Sequence, residues 1–344
     1  MQKNPLESEI RLLMKKGNVP AVSIVLIEKA IVVNHYNYGL KNSETEDPID
    51  DNTVFEAASL SKPVFAYGIL QMVEEGILHL DKPLIEYLPY ADVAKDERLN
   101  CITARMVLSH STGFPNWREN GESLKIYFQP GERFSYSGEG FVYLQKVAEK
   151  LLKLPMEEYL KRVVFQPLGM VHSSFIWQNE FERLKASGHD ANGAPKISWR
   201  PLSGNAAFTL HTTALDYAKF MIAIMKNTGL KLETMNQMMT PQIRVEEGCV
   251  NCVHKHPGKL SHSISWGLGW GLQELVQGES FWHWGDNNGF KSYVAGLRRE
   301  QTGIIVFTNS SSDLGLSIIP QIIHKIWGAW QPAFDWLETE TIPF

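Results

Sequence analysis

AVSIVLIEKAIVVNHY, residues 21–36, places two β-branched runs side by side with almost nothing between them. Val and Ile are stiff at χ1 and fit a pleated surface, so Ala21–Glu28 and residues 30–36 read as an antiparallel hairpin. The same pattern returns near the other end of the chain. Residues 265–275, 280–285, 291–298 and 303–309 are short, aromatic or β-branched, and separated by turn residues, which fits three or four antiparallel strands. Between the two ends the apolar spacing is helical. Residues 61–75 (SKPVFAYGILQMVEE) carry Pro63 early enough for a first turn, so a helix is expected to start near Ser59. Residues 141–154 and 214–225 repeat the helical spacing, a helical stretch opens the chain, and residues 314–330 close it as an amphipathic helix.

Strands at both ends with helices between them define an α+β fold: one antiparallel sheet built from both termini, flanked by helices, with a mostly helical insertion. The division expected is a sheet lobe of residues 1–76 and 237–344 and a helical lobe of residues 77–236. The crevice between them is the natural place for an active site.

A 344-residue chain with 44% hydrophobic residues has ample material for a buried core. Its 33 basic and 38 acidic residues give a net charge of -5, and no run of Lys or Arg resembles a polyanion footprint, which argues against nucleic acid as a partner. No stretch of about 18 apolar residues occurs, so no membrane span is expected. The opening MQKNPLESEIRLLMKKGN lacks the features of a secretory leader. A cytoplasmic location is therefore expected of the sequence as given, and a periplasmic or secreted one if a leader has been removed. Oligomeric state is not legible. Three cysteines, Cys101, Cys249 and Cys252, are too few for a disulfide framework in a chain this size.

The chemistry begins at Ser59-Leu60-Ser61-Lys62. Residues three apart on a helix share a face, so the lysine amine can reach the serine hydroxyl. The helix N-terminus adds backbone N–H donors where an oxyanion would develop. Two further segments join it. Residues 130–138 (PGERFSYSG) put Tyr136 on a turn just before a helix, and residues 281–286 (FWHWGD) put His283 and Gly285 on one face of a strand. Gly285 would let backbone and ligand approach closely.

The order Ser-x-x-Lys, Tyr-Ser-x, His-x-Gly resembles the penicillin-recognising serine hydrolases, which include the penicillin-binding proteins. Its nearest likeness is to the class C β-lactamase-like branch, with its D-amino-acid peptidases and β-lactamase-fold esterases. Supporting segments span nearly the whole chain: the N-terminal hairpin, residues 108–113 (LSHSTG), the glycines of 136–140 and residues 267–271 (GLGWG). The resemblance implies that Ser59 attacks an acyl carbonyl while Lys62 and Tyr136 manage the protons, leaving open which of them is the base. It implies that His283 orients the site electrostatically, and that the backbone N–H groups of Ser59 and Asp286 form the oxyanion hole. No cofactor is implied. The partner is a small-molecule ester or amide.

Two departures shape the substrate expectation. Gly138 stands where the family commonly has the Asn of Tyr-x-Asn, so the carboxamide that contacts the acyl-side amide is missing. Trp284 stands where a small residue, often Thr, helps recognise a carboxylate. Substrate contacts are thus assigned to Gly138, Trp284 and Gly285, and an esterase is expected ahead of a β-lactamase or D-amino-acid peptidase. The loss at Gly138 also leaves open a non-catalytic binding or assembly module on this fold.

Cys249, Cys252, His254 and His256, with His262 nearby, are residue types that zinc accepts, but their spacing matches no zinc finger and no metal is expected. His110 reads as a buried structural histidine. The tryptophans 266, 270, 282 and 284 should be mostly core, with one or two lining an acyl pocket.

Overall fold

The computed structural model describes residues 5–93, 95–119, 121–246, 250–254, 263–328 and 330–338. The N-terminal hairpin is strand β1 (Ala21–Glu28) followed by β2 (Ile31–Asn42), with short β3 (Asp47–Pro48) at its edge. β4 (Phe55–Ala58) pairs with β5 (Leu210–Thr212) as a separate two-stranded sheet. The C-terminal part supplies β6 (Ile243–Arg244), β7 (Ile264–Trp266), β8 (Gly271–Leu275), β9 (Gly278–Asn287), β10 (Phe290–Leu297) and β11 (Thr302–Thr308). The main sheet has nine strands in the order β3-β2-β1-β11-β10-β9-β8-β7-β6. The two termini meet at β1 and β11, antiparallel from Val22 opposite Thr308 to Ile27 opposite Gly303. The protein has an α+β fold in which one antiparallel sheet is assembled from both ends of the chain.

β1 shows why its run is continuously apolar. Ala21, Val25 and Ile27 enter one core with Val64 and Phe65, whereas Val22 and Ile24 enter another with Ile10, Ile319 and Ile322. Successive side chains point to opposite faces, and both faces are covered, so alternation with polar residues has no use here. One cover is α1 (Pro5–Gly17) with α5 (Asp313–Trp327) and α6 (Pro332–Leu337); the other includes α2 (Ser61–Glu74) and α4 (Ala214–Lys226), with α3 (Gly138–Leu152) farther along the same core.

Three expectations are corrected. Residues 265–275 are not one strand but β7 and β8, joined through Gly269 in the left-handed region at φ +86°. The closing helix ends at Trp327 and a second, α6, follows it. α2 begins at Ser61, so Ser59 lies in a turn before the helix and not within it.

Candidate active site

Ser59 is positioned by strain and by pinning. Ala58 adopts φ +52°, a left-handed conformation that costs a non-glycine residue about 1–2 kcal/mol. The hydroxyl of Ser61 donates to the Ala58 carbonyl at 2.6 Å and accepts from the Leu210 N–H at 2.9 Å, tying β4 to β5 beneath the turn. Ser61 is thus committed to structure. Ser59 is left half-buried, facing a cavity of about 550 Å³.

The first turn of α2 carries Lys62, which is 1% exposed. Its Nζ donates to Ser59 Oγ at 3.1 Å and to the Ala207 carbonyl at 2.9 Å, and lies 4.6 Å from the centre of the Tyr136 ring. Burial pushes its pKa well below the usual lysine range, because desolvation penalises the ammonium. A neutral amine this close to a hydroxyl is a competent proton acceptor.

Tyr136 sits on a turn that His110 holds from two sides. The His110 carbonyl accepts from Ser135 N–H at 2.8 Å, and its Nδ1 accepts from Ser137 N–H at 3.0 Å. Its ring stacks on Tyr136 with centres 4.2 Å apart. Burial, then the nearby Lys62 and His283, lower the His110 pKa well below the usual value, so the imidazole stays neutral. Ser137 caps α3 by accepting from Gly140 N–H at 3.0 Å, which sets Tyr136 just outside the helix.

On β9, His283 is fully buried and its Nδ1–H donates to the Trp284 carbonyl at 2.7 Å. Burial, with Lys62 adding to it, pushes its pKa down to about 3. A neutral ring works through hydrogen bonding, so the electrostatic role expected of His283 carries no full charge. Gly285 is explained by the protein itself. A Cβ there would stand 2.3 Å from both the Ala57 carbonyl oxygen and Ser292 Oγ, so glycine lets β9 close against β4 two residues before Ser59. The packing of β9 on β4 thus requires this glycine whether or not a ligand also approaches it.

Of the expected residues, Ser59, Tyr136, Trp284 and Asp286 line the cavity. Lys62 and His283 are buried behind its wall, and Gly138 and Gly285 are not part of the lining. Asp286 pairs with Lys291 across β9 and β10. Residues 266, 270 and 282 are core tryptophans, with Trp284 alone of the four facing the cavity. Sequence reasoning missed Asn116, Trp117, Phe208, Asn287 and the hairpin-turn residue Asn288 in the lining. Asn116, Trp117 and Phe208 sit on irregular loops, without periodicity to mark them, and Asn287 is the last residue of β9.

Cys252 is disulfide-bonded, which removes its thiolate from any metal site, and Cys101 is a free thiol. Cys249, His256 and His262 lie outside the described residues. Among the described residues no helix is long and apolar enough to cross a membrane.

A nine-stranded antiparallel sheet with a buried Ser-x-x-Lys at the edge of a cavity defines a protein of the β-lactamase fold. The comparison is direct: the family model described as Beta-lactamase matches residues 6–318, and the chain belongs to that family of serine hydrolases. A curated relative, Protein flp of Staphylococcus aureus (strain MRSA252), is 21% identical over 339 residues, covering 91% of this chain. The chain spans only 63% of that relative's length. Among solved structures, the octameric penicillin-binding protein homologue from Pyrococcus abyssi superposes with a TM-score of 0.78 at 24% identity, covering 95% of this chain and 78% of the other. A class C beta-lactamase superposes with a TM-score of 0.77 at 21% identity, covering 93% and 95%.

Proposed function

We propose that this chain hydrolyses carboxylic esters through an acyl-enzyme on Ser59, at a crevice between a sheet lobe (residues 1–76 and 237–344) and a helical lobe (residues 77–236). The observation that carries the reading is Lys62: fully buried, its amine driven toward neutrality, and 3.1 Å from Ser59 Oγ beside an open cavity. In this mechanism Lys62 Nζ accepts the Ser59 proton as Oγ attacks the carbonyl. The backbone N–H groups of Ser59 and Asp286 receive the oxyanion. Tyr136 relays the proton to the leaving alkoxide, and water then releases the acid by the reverse path. His283 and His110, both neutral, hold the polar back wall.

The ester preference is supported by what the cavity lacks. Among the described residues no Lys or Arg lines it, and the one charged side chain in the lining is the acidic Asp286. A free carboxylate on the substrate meets no cation in that lining, since Lys196 and Lys291 stand behind it, held by Asn288 and Asp286. The alternative within the family, hydrolysis of β-lactams or D-amino-acid peptides, needs such recognition; a binding or assembly module would leave Ser59 unreactive. Incubation with a fluorophosphonate probe, followed by rates on p-nitrophenyl esters, D-amino-acid amides and nitrocefin, separates the three. Stoichiometric labelling with ester turnover supports this reading, and absence of labelling in folded protein supports the module.

A further inference from the structure

The loop through Asn116, Trp117 and Arg118 is anchored on both sides of the tryptophan. The Asn116 carbonyl accepts from the N–H groups of Gly138 and Glu139, each at 3.1 Å, and its Oδ1 accepts from Gly138 N–H at 3.0 Å. The Arg118 guanidinium grips both oxygens of Glu139 at 2.8 Å. Between these anchors Trp117 lies against Gly138 and still leaves 45% of its surface in solvent. A second tryptophan, Trp199, is 42% exposed. Phe208 joins the two: its ring meets Trp117 edge-on at 5.5 Å and stacks on Trp199 at 5.6 Å with an interplanar angle of 14°.

Trp117 and Phe208 line the catalytic cavity, whereas Trp199 does not. The three rings therefore form a continuous ledge that starts beside Ser59 and runs out of the cavity mouth. Near Trp199 in the chain, Ile197 and Leu202 are 98% and 91% exposed. Ordered aromatic surface left in water is a standing offer to an apolar ligand, since covering it releases that surface from solvent. The ledge is also tied to the chemistry. Phe208 follows Ala207, whose carbonyl holds Lys62 Nζ, and the Phe208 carbonyl accepts from the Asn287 amide at 3.4 Å.

We infer that Trp117, Phe208 and Trp199 form a subsite for a large apolar group, aromatic or branched, carried by the ester that Ser59 attacks. The inference rests on the esterase reading above. The apolar group belongs to either the acyl or the alcohol half of the ester, and two substrate series distinguish them: p-nitrophenyl esters of acids from acetate to phenylacetate and decanoate, and acetates of alcohols from methanol to naphthylmethanol.

The experiment measures kcat/KM across both series for the wild-type protein, Trp199→Ala and Trp199→Phe. Trp199 is the one member of the ledge that does not line the cavity with Ser59 and Tyr136, so its removal tests the ledge with least disturbance to the chemistry. One series should rise with apolar size in the wild type. Trp199→Ala should lower the large-to-small ratio in that series about tenfold, and Trp199→Phe should keep most of it. A ratio unchanged in Trp199→Ala overturns the inference. So does an unchanged ratio with a lower oligomer mass by light scattering, which would make the ledge a contact for a second copy. A binding arm is independent of turnover: in Ser59→Ala protein, quenching of tryptophan fluorescence by 1-naphthyl acetate should weaken about tenfold when Trp199→Ala is added. If that binding holds while Ser59 takes no fluorophosphonate, the esterase reading fails and the ledge stands.

Discussion

The Trp117 indole fills the space that a side chain at residue 138 would need: a Cβ built on Gly138 would lie 2.6 Å from two of its ring carbons. Because Asn116 and Arg118 anchor the indole's loop to the start of α3, the ring can clear that space only by swinging farther into solvent and giving up its contact with Phe208. Gly138→Asn, which would restore the commoner Tyr-x-Asn pattern, should therefore destabilise the protein by about 1–3 kcal/mol through overpacking. Adding Trp117→Ala should recover a large part of that loss, a coupling of about 1 kcal/mol or more. Denaturant melts of the two single variants and the double variant measure it. Additive losses would mean that the ring does not exclude the side chain.

Ser59→Ala should abolish acyl-enzyme formation, since the neighbouring hydroxyl of Ser61 is held between Ala58 and Leu210 and has no route to substrate. Intact-mass spectrometry after ester addition gives the answer, and an adduct persisting in the variant would move the nucleophile elsewhere. Tyr136→Phe should fold normally and lose roughly two to four orders of magnitude in turnover, the usual worth of a positioned acid or base.

The pH dependence follows from Lys62. It must be neutral to take the Ser59 proton, and its neutral fraction grows as pH rises through its lowered pKa. kcat/KM should thus climb on the acid side and level off well below the ordinary lysine value of 10.5. His283 is lowered to about 3 and His110 is lowered by the same burial, so both rings are neutral near neutral pH. Stability carries the same sign. Between the lowered folded pKa and 10.5 the unfolded chain binds a proton at Lys62 that the folded site refuses, so stability should fall as pH drops through this window. A pH–rate profile and melts of the wild type against Lys62→Met test both. A rate still climbing at pH 10 would remove Lys62 as the neutral base.

The large sheet was legible because β-branched runs near both ends can satisfy their backbones only by pairing, and β1 pairs with β2 and with β11. The start of α2 was misplaced by two residues because nothing in the letters marks Ala58 for φ +52°. β7 and β8 merged into one expected strand because tryptophans flank the turn at Gly269 and hide it. At the site, residues within short motifs could be named in advance. Asn116, Trp117 and Phe208 could not, since each comes from an irregular loop and reaches the cavity only through tertiary packing. The one trace of them in the sequence is the glycine at 138, a missing side chain whose space another residue fills.

On the proposed ester reading, that missing side chain also bears on what is hydrolysed. An amide or β-lactam presents an acyl-side N–H and C=O that need partners, and residue 138 offers only backbone, already used by Asn116. An unpaired buried polar group costs about 1–3 kcal/mol, or roughly one to two factors of ten in rate. A simple ester has no such N–H to strand. β-Lactams and D-alanyl peptides also carry a carboxylate, which here would meet Trp284 and the carboxylate of Asp286 in a cavity that, among the described residues, no Lys or Arg lines. The pairing of Asp286 with Lys291 reduces that repulsion without offering the substrate a free cation. Esters gain further because an alkoxide or phenoxide leaves more readily than an amine, so less is asked of Tyr136. kcat/KM for the best p-nitrophenyl ester should exceed that for nitrocefin by about a hundredfold or more. A higher kcat/KM on nitrocefin than on every ester tested would refute this specificity argument while leaving Ser59 as the nucleophile.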